Sequence, residues 1–412
     1  MRELRYIITE YCFHEKKGIL SFSLDMKTGK VESVNFSPSN QLNSTITIGD
    51  IFVAKVINVV KQIHAAFIAY APNKKGYLPI STEYIPIITN RKYDGRILAG
   101  DEIIVQLEKE AVRTKEPVFT INLSLAGKYS VISYANTYKG VSKKCTKAER
   151  ELLRTAIPQN IDYGIVIRTN AISLLQSPEL DESSDILQPV VDEINYLNRQ
   201  MTRLIQEGIC RTCYSRIWQS PPSYLTMMRD EGVTYEQIIT DSNVLYDELR
   251  DFVELYMPEQ LAKISLYQDD TYSLYKLYRV ETHLSELLSS RVWLKSGAYI
   301  VIEKTEAMYV IDVNSGKNIT KTDAIEYIFQ INLEAADEIM RQIRLRNLTG
   351  MILIDFINMD EEEKVEALLQ ELRAFAKKDR IQTTIVDITA LGLVEITRRK
   401  TTKSLAEQLE VS

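Results

Sequence analysis

The chain is poor in several features that whole function classes require. It has three histidines, His14, His64 and His283, scattered so widely that a general acid–base pair of imidazoles has little support. Its four cysteines, Cys12, Cys145, Cys210 and Cys213, do not make a secreted disulfide framework in 412 residues. No apolar run is long enough to span a bilayer. The opening MRELRYIITEYCFHEKK carries charges where a signal peptide needs an uninterrupted apolar stretch. These absences lead to the expectation of a cytoplasmic protein. A net charge of −6 excludes blanket attraction to nucleic-acid phosphates, because that attraction rests on counterion release and needs positive charge.

What is present fits a soluble multidomain protein. Hydrophobic residues make up 45% and charged residues 26% of the chain, and its length allows roughly two to four domains. The most informative feature is a pair of apolar runs, Ala307 to Ile311 and Met351 to Ile354, each ending in a carboxylate, Asp312 and Asp355. One amphipathic helical stretch separates them. Short buried runs flanking a helix read as a βαβ unit, whose right-handed crossover makes the strands parallel and brings their carboxyl ends to the same edge. Asp312 and Asp355 are therefore expected to be neighbours. Two anions so placed repel each other and resist desolvation unless a cation or water reaches them. A hard divalent ion, Mg²⁺, is the economical explanation. The competing reading is that each Asp only caps the turn or helix after its strand. On the residues alone, the pair supports a metal-dependent phosphoryl-transfer site.

The longer strings narrow this. YIVIEKTEAMYVIDVNSGKN, then INLEAADEIMRQIRLRNLTGMILIDFINM, then DITALGLVEITRRKT, resemble the catalytic core of the ribonuclease E/G family of bacterial endoribonucleases. The resemblance implies that Asp312 and Asp355 hold the catalytic Mg²⁺ and that Asn314 supports the site. It also implies hydrolysis of single-stranded RNA to 5′-phosphate and 3′-hydroxyl ends, in RNA processing and decay. Asn358 stands where the family often has a second acid, which leaves both metal ligands in place.

Upstream, ITIGDIFVAKVINVV, AAFIAYA, KKGYLPI and DEIIVQLEKE read as closely spaced short strands of a small barrel. They resemble the family's OB-fold RNA-binding domain, which by residue carry-over gives Phe67, Tyr77 and Lys115 the task of gripping unpaired RNA. Stacking on aromatic faces and pairing of a lysine with phosphate suit that task; a core aromatic is the competing reading for Phe67. In YGIVIRTNA, Arg168 and Thr169 end an apolar strand and resemble the family's 5′-phosphate sensor, where a guanidinium fork and a hydroxyl match phosphate oxygens. A surface salt bridge is the competing reading for Arg168. The basic residue that the family contributes from DRIQTT is Gln382 here.

The architecture implied is α+β and multidomain. A ribonuclease-H-like support domain, 1–42 and 222–283, carries an inserted OB-fold barrel, 43–127, and a 5′-sensor domain, 128–221. A DNase-I-like α/β catalytic domain, 284–412, follows. Cys210-x-x-Cys213 is not where the family places its two-cysteine zinc motif, which follows GLVEITRRKT; no cysteine follows that segment here. A zinc-linked tetramer is therefore doubtful, although another homo-oligomer is compatible. Arg341, Arg344, Arg346, Arg398, Arg399, Lys400 and Lys403 bracket the metal site and are expected RNA-backbone contacts, a solvated face being the competing reading; Lys139, Lys143, Lys144 and Lys147 form a further basic cluster beyond the barrel. The acidic stretch Glu179 to Asp185 is expected to face away. Two other classes stay open: a non-catalytic RNA-binding scaffold, and a DNA nuclease, since metal ligands do not read the 2′-hydroxyl.

Overall fold

The computed structural model describes residues 3–38, 46–81, 83–111, 115–176, 186–316 and 324–410. The acidic stretch 179–185 and the expected boundary at 42/43 lie outside them. The chain forms two compact units, one of Met1–Ser39, Tyr235–Tyr246 and Ser265–Ser412, the other of Asn40–Thr234 and Asp247–Ile264.

The first unit opens with three long strands, β1 (Leu4–Phe13), β2 (Lys16–Asp25) and β3 (Lys30–Pro38), in two antiparallel hairpins. Asp25 closes the second turn by accepting hydrogen bonds from the backbone of Lys27 and Thr28, the local bonding that favours Asp at turns.

The second unit holds a closed, OB-like barrel of β4 (Ile51–Val60), β5 (Ala65–Ala71), β6 (Lys74–Pro79), β7 (Glu102–Lys109) and β8 (Val118–Thr120). The order β4-β5-β6-β8-β7 closes because β7 pairs back onto β4, from Ile51 opposite Gln106 to Lys55 opposite Glu102. Closure removes the sheet edges. Phe52, Tyr70 and Phe119 fill the interior with Ile68, Leu78 and Val105. Gly76 is required there, since a Cβ would lie 2.5 Å from the Phe119 ring. Beyond the barrel, β9 (Ser124–Ala126), β10 (Ser130–Ser133), β11 (Lys139–Val141) and β12 (Gly164–Ile167) form a four-stranded sheet packed on the helix Gln188–Ile209. Residues 124–126 thus pair in this sheet rather than in the barrel. In turn, β13 (Arg216–Trp218) adds to β4.

The chain then completes the first sheet. β14 (Gln237–Thr240) runs parallel to β1, and β15 (Ile264–Leu266) lies beyond it, giving the order β15-β14-β1-β2-β3. A last sheet follows in the same unit: β16 (Arg291–Trp293), β17 (Tyr299–Lys304), β18 (Met308–Asn314), β19 (Gly350–Asp355), β20 (Thr383–Ile388) and β21 (Val394–Arg398), ordered β16-β17-β18-β19-β21-β20. Helices Ala324–Leu345 and Glu362–Lys378 cover one face, burying Ile331, Ala335, Ile339, Leu368 and Leu372 against Ile300, Ile311, Ile352 and Ile396. Strand alternation sends Val301, Val310, Asp312, Leu353 and Asp355 to the other, less buried face.

Candidate active site

β18 and β19 are parallel, with the crossover helix Ala324–Leu345 between them in sequence. Their register sets Met308 beside Met351, Ile311 beside Ile354 and Asp312 beside Asp355. Both carboxylates are exposed at the carboxyl ends of adjacent strands, about 5 Å apart at the backbone. Asn314, two residues on and facing the same way, donates its amide to Asp312 Oδ2 at 2.6 Å. That bond fixes one carboxylate oxygen and leaves the other available.

The crossover helix holds both ends of this site. Asn332 is wholly buried, and its amide makes a reciprocal pair with the backbone of Ile357, two residues beyond Asp355: Nδ2 donates to the carbonyl at 2.8 Å and Oδ1 accepts from the N–H at 3.1 Å. Glu334 accepts from the backbone N–H groups of Lys295 at 2.7 Å and Ser296 at 3.3 Å, in the β16–β17 turn. Neither residue stood out in the sequence, where both read as ordinary polar positions on an amphipathic helix.

The donor set suits a hard divalent ion. Two exposed carboxylates and an amide offer only oxygen ligands, and Mg²⁺ characteristically takes one or two carboxylates and keeps several waters. Among the described residues no group of three or more His, Cys, Asp or Glu is placed to hold a metal.

In the second unit, Phe67 and Tyr77 are cross-strand partners on β5 and β6, half-buried on the barrel exterior, with ring centroids 6.0 Å apart at 70°. Lys115 is exposed just before β8. Arg168 and Thr169 follow β12. Arg168 Nη1 donates to the Gly127 carbonyl at 2.6 Å and to Asp230 at 2.7 Å, and Arg229 Nε also reaches Asp230, at 2.9 Å. Burial alone would raise the Asp230 carboxyl, but the two guanidiniums hold it below the usual range.

Comparison with known proteins decides the lineage. The family model described as "Ribonuclease E/G family" matches residues 124–401, well over half of the chain. This chain belongs to the ribonuclease E/G family. It is similar to ribonuclease G of Haemophilus influenzae, 31% identical over 376 residues that cover 88% of this chain and 74% of that protein. It is 30% identical to ribonuclease G of Escherichia coli K12, with the same coverage. Ribonuclease E of a Nostoc species is 29% identical over 368 residues, 87% of this chain and 52% of that one.

Several basic residues expected to meet RNA are placed otherwise in this ribonuclease E/G chain. Arg398 lies on the buried face of β21, where Nε donates to Asp379 Oδ2 at 2.7 Å. Arg346 is buried, bonded to Gln342 and to the Ser289 carbonyl, and burial lowers its pKa to about 10. Arg341 bonds to Glu338 and to the Val31 carbonyl. These three arginines hold the first unit together, and Lys400 is exposed. Cys210 ends the helix Gln188–Ile209, and Cys213 sits in the turn before β13; both are free thiols.

Proposed function

We propose that this member of the ribonuclease E/G family is a Mg²⁺-dependent endoribonuclease that cleaves single-stranded RNA by hydrolysis, leaving 5′-phosphate and 3′-hydroxyl ends. The observation that carries the reading is the side-by-side register of Asp312 and Asp355, with Asn314 bonded to Asp312. Relatives named ribonuclease G and ribonuclease E support RNA as the substrate.

Asp312 and Asp355 would hold the ion, one oxygen of Asp312 being oriented by the Asn314 amide. An ion held by these two carboxylates would supply positive charge against the negative charge building on the phosphodiester and would acidify a water. The exposure of both carboxylates leaves room for an extended strand to cross the sheet end. Phe67 and Tyr77 offer two edge-to-face rings for unpaired bases, and Lys115 an exposed ammonium for phosphate. Arg168 and Thr169 sense a 5′ phosphate, with Asp230 holding the guanidinium until the phosphate competes for it.

The domain reading follows the same resemblance. The support domain takes 1–42 and 222–283, which is favoured by the joining of β1 to β3 with β14 and β15 in one sheet. The barrel, the sensor and the DNase-I-like catalytic domain take 43–127, 128–221 and 284–412, except that 124–126 pair in the four-stranded sheet of the sensor. Ribosomal and transfer RNA processing and messenger decay in the cytoplasm are the roles proposed. Among the described residues no helix is long and apolar enough to cross a membrane.

The deciding experiment offers a short AU-rich RNA bearing a 5′ monophosphate or a 5′ hydroxyl, with Mg²⁺ or with chelator, beside the matching DNA. Internal cleavage of RNA that needs Mg²⁺ is expected. Tight binding without cleavage points to a scaffold, and equal cutting of DNA to a broader nuclease.

A further inference from the structure

The hairpin of β16 and β17 places an aromatic pair beside the two carboxylates. Trp293 is register partner of Tyr299, and Tyr299 is register partner of Asn314. In the next row, Arg291 partners Val301 and Val301 partners Asp312, which partners Asp355. All of these point to the same open face, since the alternate residues Val292, Ile300, Ile311 and Val313 pack in the core. Tyr299 therefore lies one strand spacing, about 5 Å, from Asn314, and Trp293 about 10 Å.

The pair presents aromatic surface on the open face, with the Tyr299 ring inclined at 58° against the exposed Trp293 indole. Trp293 is 64% exposed, unusual for a side chain that removes so much apolar area from water when covered. The two rings lie 5.2 Å apart, and the Arg291 guanidinium sits over both, 4.6 Å from Tyr299 and 5.9 Å from Trp293. Glu334 fixes the turn that joins their strands, through two backbone N–H groups. The turn also abuts the loop after Asn314: Gly316 adopts φ +73°, and a Cβ there would lie 2.8 Å from the Gly297 carbonyl. The strands that carry the rings are thus tied to the crossover helix and to the loop after Asn314.

We infer that Trp293 and Tyr299 form a stacking platform for an unpaired base next to the cleaved phosphodiester, positioning the RNA strand across Asp312 and Asp355. The inference rests on the endonuclease reading for its ligand. Aromatic faces accept any base, and the neighbouring guanidinium supplies positive charge where the backbone must pass. A platform this close to the metal ligands fixes the register of the strand against the cut without selecting the base.

Trp293 allows a direct test, because Trp218 is the other tryptophan in the chain. In a Trp218→Phe background with chelator present, short single-stranded RNA is titrated against tryptophan fluorescence. Saturable quenching is expected, weakened roughly tenfold in apparent Kd by Tyr299→Ala and lost with an RNA carrying an abasic site at the stacked position. With Mg²⁺, Trp293→Ala should raise KM about tenfold with little change in kcat, and Trp293→Phe should restore most of it. Cleavage of an RNA that leaves Trp293 emission unchanged overturns the platform. Quenching without cleavage sustains the platform and sinks the endonuclease reading; neither signal sinks both.

Discussion

Arg398 Nε donates to Asp379 Oδ2 at 2.7 Å, and both side chains are almost wholly buried, 3% and 2% exposed. The pair closes the covered side of the last sheet: Arg398 also reaches the Asn347 side chain and the Leu348 carbonyl, and Asp379 accepts from Ile381 N–H and Thr383 Oγ1. Removing one partner strands a buried charge. Asp379→Asn should therefore cost about 3–5 kcal/mol in urea unfolding.

The same pair predicts acid sensitivity. Burial would raise the Asp379 carboxyl, but Arg398 and the other donors outweigh it and hold it below its ordinary 3.8. The folded pKa thus lies below the unfolded one, so the unfolded chain binds more protons in between. The stabilisation is fully present above the unfolded value and is lost as pH falls through the folded value. Melting temperature measured from pH 6 down to pH 3 should fall more steeply in the parent than in Asp379→Asn; parallel curves would refute the assignment.

Asp312→Asn and Asp355→Asn should each reduce Mg²⁺-dependent cleavage at least about a hundredfold, the scale for losing a group that stabilises transition-state charge. Both residues are exposed, so stability should hardly change. RNA affinity by fluorescence anisotropy should be kept, and unaltered cleavage would remove the metal role.

Asn332→Ala leaves the N–H and carbonyl of Ile357 without their partners. A loss of about 1–3 kcal/mol is expected, together with slower cleavage as the strand end bearing Asp355 loosens. A stability loss with unchanged kcat would confine Asn332 to folding.

Phe67→Ala and Tyr77→Ala should each weaken binding of single-stranded RNA by about 1–3 kcal/mol. Because the rings touch edge to face, the double variant should lose less than the sum of the two. Binding assays at one fixed salt concentration make the comparison.

The carboxylate pair was legible because the pattern itself is geometric: two apolar runs and a crossover helix leave few arrangements for Asp312 and Asp355. The closed barrel was legible for the same reason, from short strands between Gly, Asn and Pro. Lone charges were not. Arg398 read as an RNA contact from its neighbours Arg399 and Lys400, yet strand alternation sends it inward with Val394 and Ile396. Trp293 and Tyr299 lie six positions apart, and only the hairpin register reveals that they touch. Asn332 and Glu334 act on backbone distant in sequence, through bonds that no local spacing encodes.

The parallel pairing of β1 with β14 carries a consequence for how the chain is made. Thr9 Oγ1 donates to Asp241 across a gap of 232 residues, so the first sheet cannot close until the whole barrel and the four-stranded sheet have been synthesised. At about 5–20 residues per second, the free side of β1 waits on the order of tens of seconds. An unpaired strand of that length is a template for unwanted association. Slow, nonlocal closure of this kind makes the nascent meander the point at which a chaperone would do most good.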